Sequence, residues 1–457
     1  MRDSLVEITE WSDGGLAARL FRCRVDNVDF DYPGALTFRP LALDLATLPP
    51  LDTVANVEAY GTRIHAELSS HPAIRDELTQ LFQTSSRALL KFFINLPAGE
   101  QYRWETVCRA PPPKFLALKD VCTVTRLASM NDNVQNVRTF NGLIRMAAFL
   151  SPAGIAAKDE FESIRQEIEI AHNAGLNIEC TIYLGEQELL DRSNGDIAAG
   201  RLAGIKVAPM PSDTEAIDQL LRKQPVEILH FFCHGILAAG VQALELATIT
   251  DVDTGKGVGS LVLSLERLNK ILGITGTTWV TVLNSCSGAK AVDQLHSMAR
   301  SLTKEGSPFT VGMAEPIAGV DAAIFSSAFY KKLFDVMRAS LVGAAENSVV
   351  MLDCATAVID ARCRVRDTYS VTPPDAFGRW TLPLLYERTS PLAIKLVPAV
   401  TIDAEMRSRI DTVAGALRIL PATSPPQMRK DILALLDKDP KVPEAFRPNV
   451  FGVIDST

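Results

Sequence analysis

The sequence predicts an α/β protein: an open, mostly parallel sheet with helices on both faces, preceded by a small α/β region and followed by a helical tail. Three observations carry this. Between about residues 136 and 400, short apolar segments rich in β-branched and aromatic side chains alternate with amphipathic ones, a pattern that implies parallel strands joined by right-handed crossovers. Leu143–Leu150 is a nearly continuous apolar run, as a strand covered on both faces requires. The punctuation agrees: Phe161, Ile164, Ile168 and Ala171 form one stripe of the segment Ala157–Ala174, which ends at Gly175, a residue suited to a helix C-cap.

Three regions follow from the pattern. The first, about residues 1–135, opens with strand-type segments such as Ala18–Val25. A helical stretch near Val54–Phe82 comes next, then an apolar strand, Leu89–Leu96. Pro111-Pro112-Pro113 lacks amide donors and reads as a loop before a strand-like run, Phe115–Leu127. This region holds no cluster of reactive side chains. The second region, 136–400, continues with a strand at Leu176–Tyr183 and a capping box, Ser212-Asp213-Thr214-Glu215, launching a helix that carries Ile217, Leu220 and Leu221. Val226–Phe232 and Trp279–Leu283 are short β-rich strands, separated by a hairpin-like stretch, Leu246–Val262, and a helix, Leu265–Leu272. Helices near Ser297–Glu305 and Asp321–Val336 flank a strand, Phe309–Met313. The third region, 401–457, carries amphipathic segments at Asp403–Leu417 and Met428–Leu436, divided by Pro421 and Pro425-Pro426, and reads as a docking module or as packing for the main sheet.

The composition bounds the function. Of 457 residues, 47% are hydrophobic and 22% charged, which places the chain with globular proteins. A formal charge of −8 disfavours direct nucleic-acid binding, because an acidic surface repels phosphate backbones. The eight cysteines are scattered and form no C-x-x-C pair, so a zinc finger or redox pair has no support and reduced thiols are expected. No apolar leader and no run near the ~20 residues that span a bilayer is visible, so a cytoplasmic protein with no membrane association is expected.

Two strands run into reactive residues. One reads Ile228-Leu229-His230-Phe231-Phe232-Cys233-His234-Gly235; the other reads Val280-Thr281-Val282-Leu283-Asn284-Ser285-Cys286-Ser287-Gly288. In open α/β sheets, reactive groups gather at the carboxyl ends of strands, where loops diverge from a rigid scaffold. A thiol becomes a useful nucleophile as the thiolate, and a neighbouring imidazole can take its proton. The expected dyad is therefore His234 as base and Cys286 as nucleophile, with the amides of Gly235 and Cys286 as the oxyanion hole and no cofactor. A lone Cys286 would read as a core cysteine; the pairing with His234 is what lifts it. His230 and Cys233 lack a carboxylate or third histidine at ligand spacing, so no metal is expected. Asp251–Gly257 reads as a flexible turn beside the site, able to act as a gate, and His65, His71, His172 and His296 as surface or helix-end residues.

The two strand-end motifs, His-Phe-Phe-Cys-His-Gly and Val-Leu-Asn-Ser-Cys-Ser-Gly, resemble the paired signature of CHAT domains, relatives of caspases and separase. The spacing of 52 residues between His234 and Cys286 resembles the interval of about 50 in caspases. Ser297-Met298-Ala299-Arg300, Glu305-Gly306, Phe329-Tyr330 and Phe377-Gly378-Arg379-Trp380-Thr381 through Leu385-Tyr386 are similar to the later elements of that family. Tyr60-Gly61, Arg103-Trp104-Glu105 and Phe115–Leu118 are similar to the extension that often precedes it. The resemblance, over roughly 60–390, implies a caspase-like cysteine protease acting on protein substrates. It implies dormancy until a protein partner or ligand activates it, in bacterial signalling or defence. Under it, the first region is a regulator, a pseudo-protease or packing support. Relatives that cut after Lys or Arg carry Asp two residues before the cysteine; here that position is Asn284, so Glu315 and Asp321 are the candidates to supply charge to a substrate-binding pocket. The competing reading is an idle protease-like scaffold that binds a partner through its C-terminal helices.

Overall fold

The computed structural model describes residues 1–12, 14–130, 137–286, 295–370, 373, 375–397, 412–413, 416, 420 and 425–437. Its centre is one large sheet, with fifteen strands among the described residues. In chain order the strands used below are β1 (Arg2–Glu10), β2 (Leu16–Val25), β3 (Ala88–Ile94), β4 (Cys122–Leu127), β5 (Ile144–Leu150), β6 (Ile178–Leu184), β7 (Ile205–Pro209), β8 (Ile228–Ala238), β9 (Val241–Leu246), β10 (Leu261–Ser264), β11 (Val280–Cys286), β12 (Phe309–Met313) and β13 (Pro383–Glu387). Spatially they run β7-β6-β5-β8-β11-β12-β13-β4-β3-β1-β2, with β9 attached to β8, β10 to β9, and the short strands Val28–Asp29 and Arg39–Leu41 to β2. From β7 to β12 every neighbour is parallel; β13 enters antiparallel to β12 and then pairs in parallel with β4.

Helices cover both faces because each strand's side chains alternate between them. The helices named below are α1 (Val54–Ser69), α2 (Pro72–Gln83), α3 (Lys158–Asn173), α4 (Thr214–Lys223), α5 (Leu265–Thr275), α6 (Leu295–Glu305), α7 (Gly319–Leu341) and α8 (Ala355–Thr368). On one face Phe232, Val282 and Val311 meet Phe161 and Ile164 of α3 and Phe325 and Phe329 of α7. On the other, Leu229, Phe231, Cys233 and Leu283 meet Ile217 of α4, Leu268 of α5 and Met298 and Leu302 of α6.

Several boundaries differ from the sequence pattern, each for a local reason. The Val54–Phe82 stretch is two helices, because His71 caps α2 and Pro72 opens it. The Phe115–Leu127 run breaks into a 3-10 turn at Leu116–Leu118 before β4. The cap of α4 is Asp213, whose carboxylate accepts from the Ala216 amide, rather than Ser212. Among the described residues the first region forms no sheet of its own beyond the two-stranded ribbon of Cys108–Arg109 and Lys114–Phe115. Its strands β1 to β4 continue the sheet of the second region across the expected boundary at residue 135, with Arg126 opposite Tyr386. In the third region only the helix Pro426–Asp437 lies within the described residues; the segment Asp403–Leu417 lies almost wholly outside them.

The join is also polar. Arg126 of β4 is fully buried, and all five of its N–H donors are matched: Nε and Nη2 to the Glu105 carboxylate at 2.9 Å, Nη1 to the carboxylate and carbonyl of Glu100 at 2.8 Å, Nη2 to the Tyr102 carbonyl at 2.8 Å. From the second region Tyr386 donates to Glu100 at 2.7 Å and Arg300 of α6 lies 3.2 Å from it. Burial acts to raise the Glu105 carboxyl, but the Arg126 charge and hydrogen bonds outweigh it and hold it below its usual range.

Candidate active site

The site forms where β8 changes neighbours. Up to Phe232, β8 lies between β5 and β11, paired as Phe149↔Phe231 and Leu150↔Phe232. At Ser151 the chain of β5 leaves the sheet, and from His234 onward β9 takes its place, paired as His234↔Glu245 and Gly235↔Leu244. The strand therefore does not end at the His234-Gly235 pair as the sequence indicates. It runs on to Ala238, because β9 satisfies its backbone groups, and turns at Ala239 and Gly240, both at positive φ (48° and 82°). The change of partner is locked by Ser151: its amide donates to Phe232 at 3.0 Å, its hydroxyl to the Ala247 carbonyl at 2.5 Å, and its carbonyl accepts from the Ala247 amide at 3.0 Å.

His234 is buried, and its Nε2 lies 2.7 Å from the carbonyl oxygen of Ala153, in the segment that departs from β5. A carbonyl can only accept, so Nε2 carries a hydrogen. Across the other neighbour the register sets His234 directly opposite Cys286, the last residue of β11. The backbone of Ser285 and Cys286 completes that strand; their side chains, and residues 287–294, lie outside the described residues.

Gly185, following β6, backs this turn. A Cβ there would strike Ser151 Oγ and lie 2.6 Å from the Ala247 carbonyl oxygen, whereas one at Gly195 in the next helix meets open space. Gly185→Ala is expected to destabilise the fold by about 1–3 kcal/mol through overpacking. Gly195→Ala should hold or raise the denaturant midpoint. Urea unfolding of the two variants beside the wild type checks this.

Earlier on the same two strands lies a buried polar cluster. Oε1 of Glu160, in the first turn of α3, accepts from Asn284 Nδ2 at 2.8 Å and Ser326 Oγ at 2.5 Å and lies 3.0 Å from His230 Nε2. His230 Nδ1 is 2.8 Å from the Tyr330 hydroxyl, and Asn284 Nδ2 also donates to Ser326 at 2.8 Å. Burial first, then the Glu160 charge, push the Tyr330 hydroxyl well up. His230 is thus spent within this cluster, while Cys233 faces the opposite core, so the two do not converge. Among the described residues no group of three or more His, Cys, Asp and Glu is arranged to hold a metal.

Each of the candidates for substrate binding already has partners within the protein. Asn284 is fully buried with its amide committed to Glu160 and Ser326. Glu315 is exposed but already matched to Arg103 of the first region. Asp321 is buried, accepts from Tyr369 and lies 2.8 Å from Arg379 Nη1. Neither carboxylate is unmatched and waiting for a substrate cation, because each has its own arginine. The Asp251–Gly257 stretch is also more tethered than a flexible turn. Thr248 and Asp251 form a capping box, and Asp251 accepts from the Ser260 amide at 2.9 Å. Burial acts to raise its carboxyl; the hydrogen bonds of Ser260 and Thr248 outweigh it and hold it well below the usual range.

Ala153, Glu160, Ser326 and Tyr330 escape a sequence reading, since a backbone carbonyl leaves no residue-type signal. Glu160 left one trace: an acidic residue beside Phe161 on the stripe that buries Ile164 and Ile168.

An open, mostly parallel α/β sheet with a histidine opposite a cysteine on adjacent central strands defines the class. Residues 197–380, which include His234 and Cys286, match the model of the CHAT domain family. Comparison with curated proteins gives no match. Among solved structures, separase of Saccharomyces cerevisiae, determined in complex with securin, is similar at 14% identity with a TM-score of 0.34. That match covers 68% of this chain and 15% of separase, so the chain spans only a small part of the length of that protein. Among the described residues no helix is long and apolar enough to cross a membrane.

Proposed function

We propose that the chain is a caspase-like cysteine endopeptidase in which Cys286 is the nucleophile and His234 the general base. The observation that carries this is the register of His234 opposite Cys286. Residues facing each other on neighbouring strands send their side chains to one face, with strands ~4.8 Å apart, which is the reach of an imidazole to a thiol. The CHAT match over both residues supports the same reading.

In this reading His234 Nδ1 takes the thiol proton, and the sulfur attacks the carbonyl carbon of the scissile peptide. The amides of Gly235 and Cys286 hold the oxyanion that forms. The imidazolium then gives its proton to the leaving nitrogen, the C–N bond breaks, and a thioester remains. Water, losing a proton to Nδ1, attacks the thioester; the C–S bond breaks and the thiol is restored. The Ala153 carbonyl keeps the ring from rotating through each step and favours the imidazolium by accepting from Nε2. Asn284, with its amide spent in the Glu160 cluster, supports the end of β11 rather than a substrate side chain.

The burial of His234 supports a closed resting form that a protein partner or ligand opens on the way to a protein substrate. The test is hydrolysis of a peptide library by the chain, alone and with cell extract added, for the wild type, Cys286→Ala and His234→Ala. Cleavage by the wild type alone supports the proposal; equal cleavage by all three rejects it.

A further inference from the structure

We infer that Glu245 is a positioning residue for His234, a carboxylate set on the far side of the imidazole from β11 to hold the ring and stabilise its charged form. The inference rests on the reading of His234 as the base and adds a residue to that site.

The placement comes from the register. On β9, Glu245 is directly opposite His234, and on β11 Cys286 is opposite it on the other side, so three neighbouring strands bring Cys286, His234 and Glu245 into one row. Side-chain packing agrees. Leu244 and Leu246 enter the core that holds Phe231 and Cys233, which sends Glu245 to the other face, where Phe232 and His234 lie. Opposite residues of an antiparallel pair have Cβ atoms roughly 4.5–5.5 Å apart, within range for a carboxylate to act on an imidazole.

The carboxylate is not a solvated surface group. Glu245 is 6% exposed, and its Oε1 accepts from the Gly259 amide at 3.1 Å. Gly259 lies flat on the backbone of β9: a Cβ there would be 2.9 Å from the Ala247 amide and closer still to the Leu246 carbonyl. The returning loop thus presses an amide against Glu245 and keeps it in the row. Beyond Glu245 the row ends in Val262 of β10, an apolar neighbour that supplies no counter-charge.

The Gly259 amide answers one oxygen of this buried acid, and a cation beside it would lower the cost of its burial further. The other ionisable groups around His234 do not fill that role. His230, four residues back on the same strand, is held by Tyr330 of α7 and Glu160 of α3. The Ala153 carbonyl takes Nε2–H but carries no net charge. The imidazolium that forms when His234 accepts the thiol proton is the cation for which Glu245 is placed. A carboxylate within ~4–6 Å favours the charged form of its neighbour by about one pH unit or more.

The test reads the imidazole itself and needs no turnover. In the full chain labelled at its six histidines, the NMR titration of His234 is assigned by its loss in His234→Gln. Glu245→Gln should lower it by about one unit, and Glu245→Asp by less. Glu245→Met, of similar volume and without a charge, gives the same drop and serves if the glutamine variant does not fold. An unchanged titration in Glu245→Gln or Glu245→Met overturns the inference. The two readings fail separately. Equal cleavage by wild type and Cys286→Ala would reject the protease, whereas an unmoved His234 titration beside intact cleavage would reject only the role of Glu245.

Discussion

Cys286→Ala is expected to abolish peptide hydrolysis, lowering kcat/KM by about a thousandfold or more, with His234→Ala close to it in size. The magnitude follows from the chemistry. Alanine leaves no group to form the acyl-enzyme, and a cysteine without its base is a thiol of ordinary acidity on the rim of a sheet. Because the two side chains act as one unit, the double variant should be no slower than the slower single one. His234→Ala should also change the pH profile, since the neighbour that removes the thiol proton is gone. The kcat/KM of the two single variants and the double variant, on one peptide across pH, measures all of this. Multiplying losses in the double variant would mean that the two groups act independently and that their register on β8 and β11 has no mechanistic meaning.

Arg126→Ala should produce the largest loss of stability in the chain, about 3–5 kcal/mol. The arginine is buried with all five donors matched, and its removal leaves the carboxylates of Glu105 and Glu100 inside the protein without their principal cation. Arg362 stands nearby but is occupied by the carbonyls of Val124 and Pro383, and burial already lowers its guanidinium to about 10. The sign of the pH effect follows from Glu105. In the wild type its carboxyl is held below the usual range, so its contribution is present above the unfolded value of about 4.3 and fades as pH falls. In Arg126→Ala burial is opposed only by the more distant Arg362 charge and a backbone hydrogen bond, so the Glu105 carboxyl rises and protonation relieves the buried charge. The deficit relative to wild type should therefore shrink as pH falls towards 4. Denaturant unfolding at several pH values checks it; a constant deficit would mean that only packing was lost.

The sheet was legible because its strands obey simple patterning. Leu143–Leu150, with Arg145 its one charged residue, and the uncharged Phe309–Met313 are buried over nearly their whole length, so composition alone marks them. The register of His234 opposite Cys286 followed from expecting the two motif-bearing strands to be parallel neighbours, although β8 itself runs on past Gly235. What the pattern missed depends on which elements meet, through a local hairpin in one case and across long sequence distances in the others. The continuation of β8 beyond Gly235 is set by β9, which returns to it only after a two-residue turn. The union of the first region with the main sheet is set by Tyr386 reaching Arg126, which lies 260 residues away. Asn284 looked like a pocket residue because of its position before Cys286. Its partners, Glu160 and Ser326, come from two helices that no local signal brings together. Burial likewise decides thiol reactivity: Cys108 and Cys363 are pushed up to about 11, and Cys122 to about 12, by desolvation.

The most direct test is the rate of alkylation of Cys286 by iodoacetamide as a function of pH, read by peptide mass spectrometry, in wild type and His234→Ala. The other seven cysteines serve as internal controls. An imidazole beside the thiol predicts that Cys286 reacts at pH values below the ordinary thiol range of about 8.5, and that His234→Ala returns it to that range. Identical profiles in the two proteins would contradict the pairing.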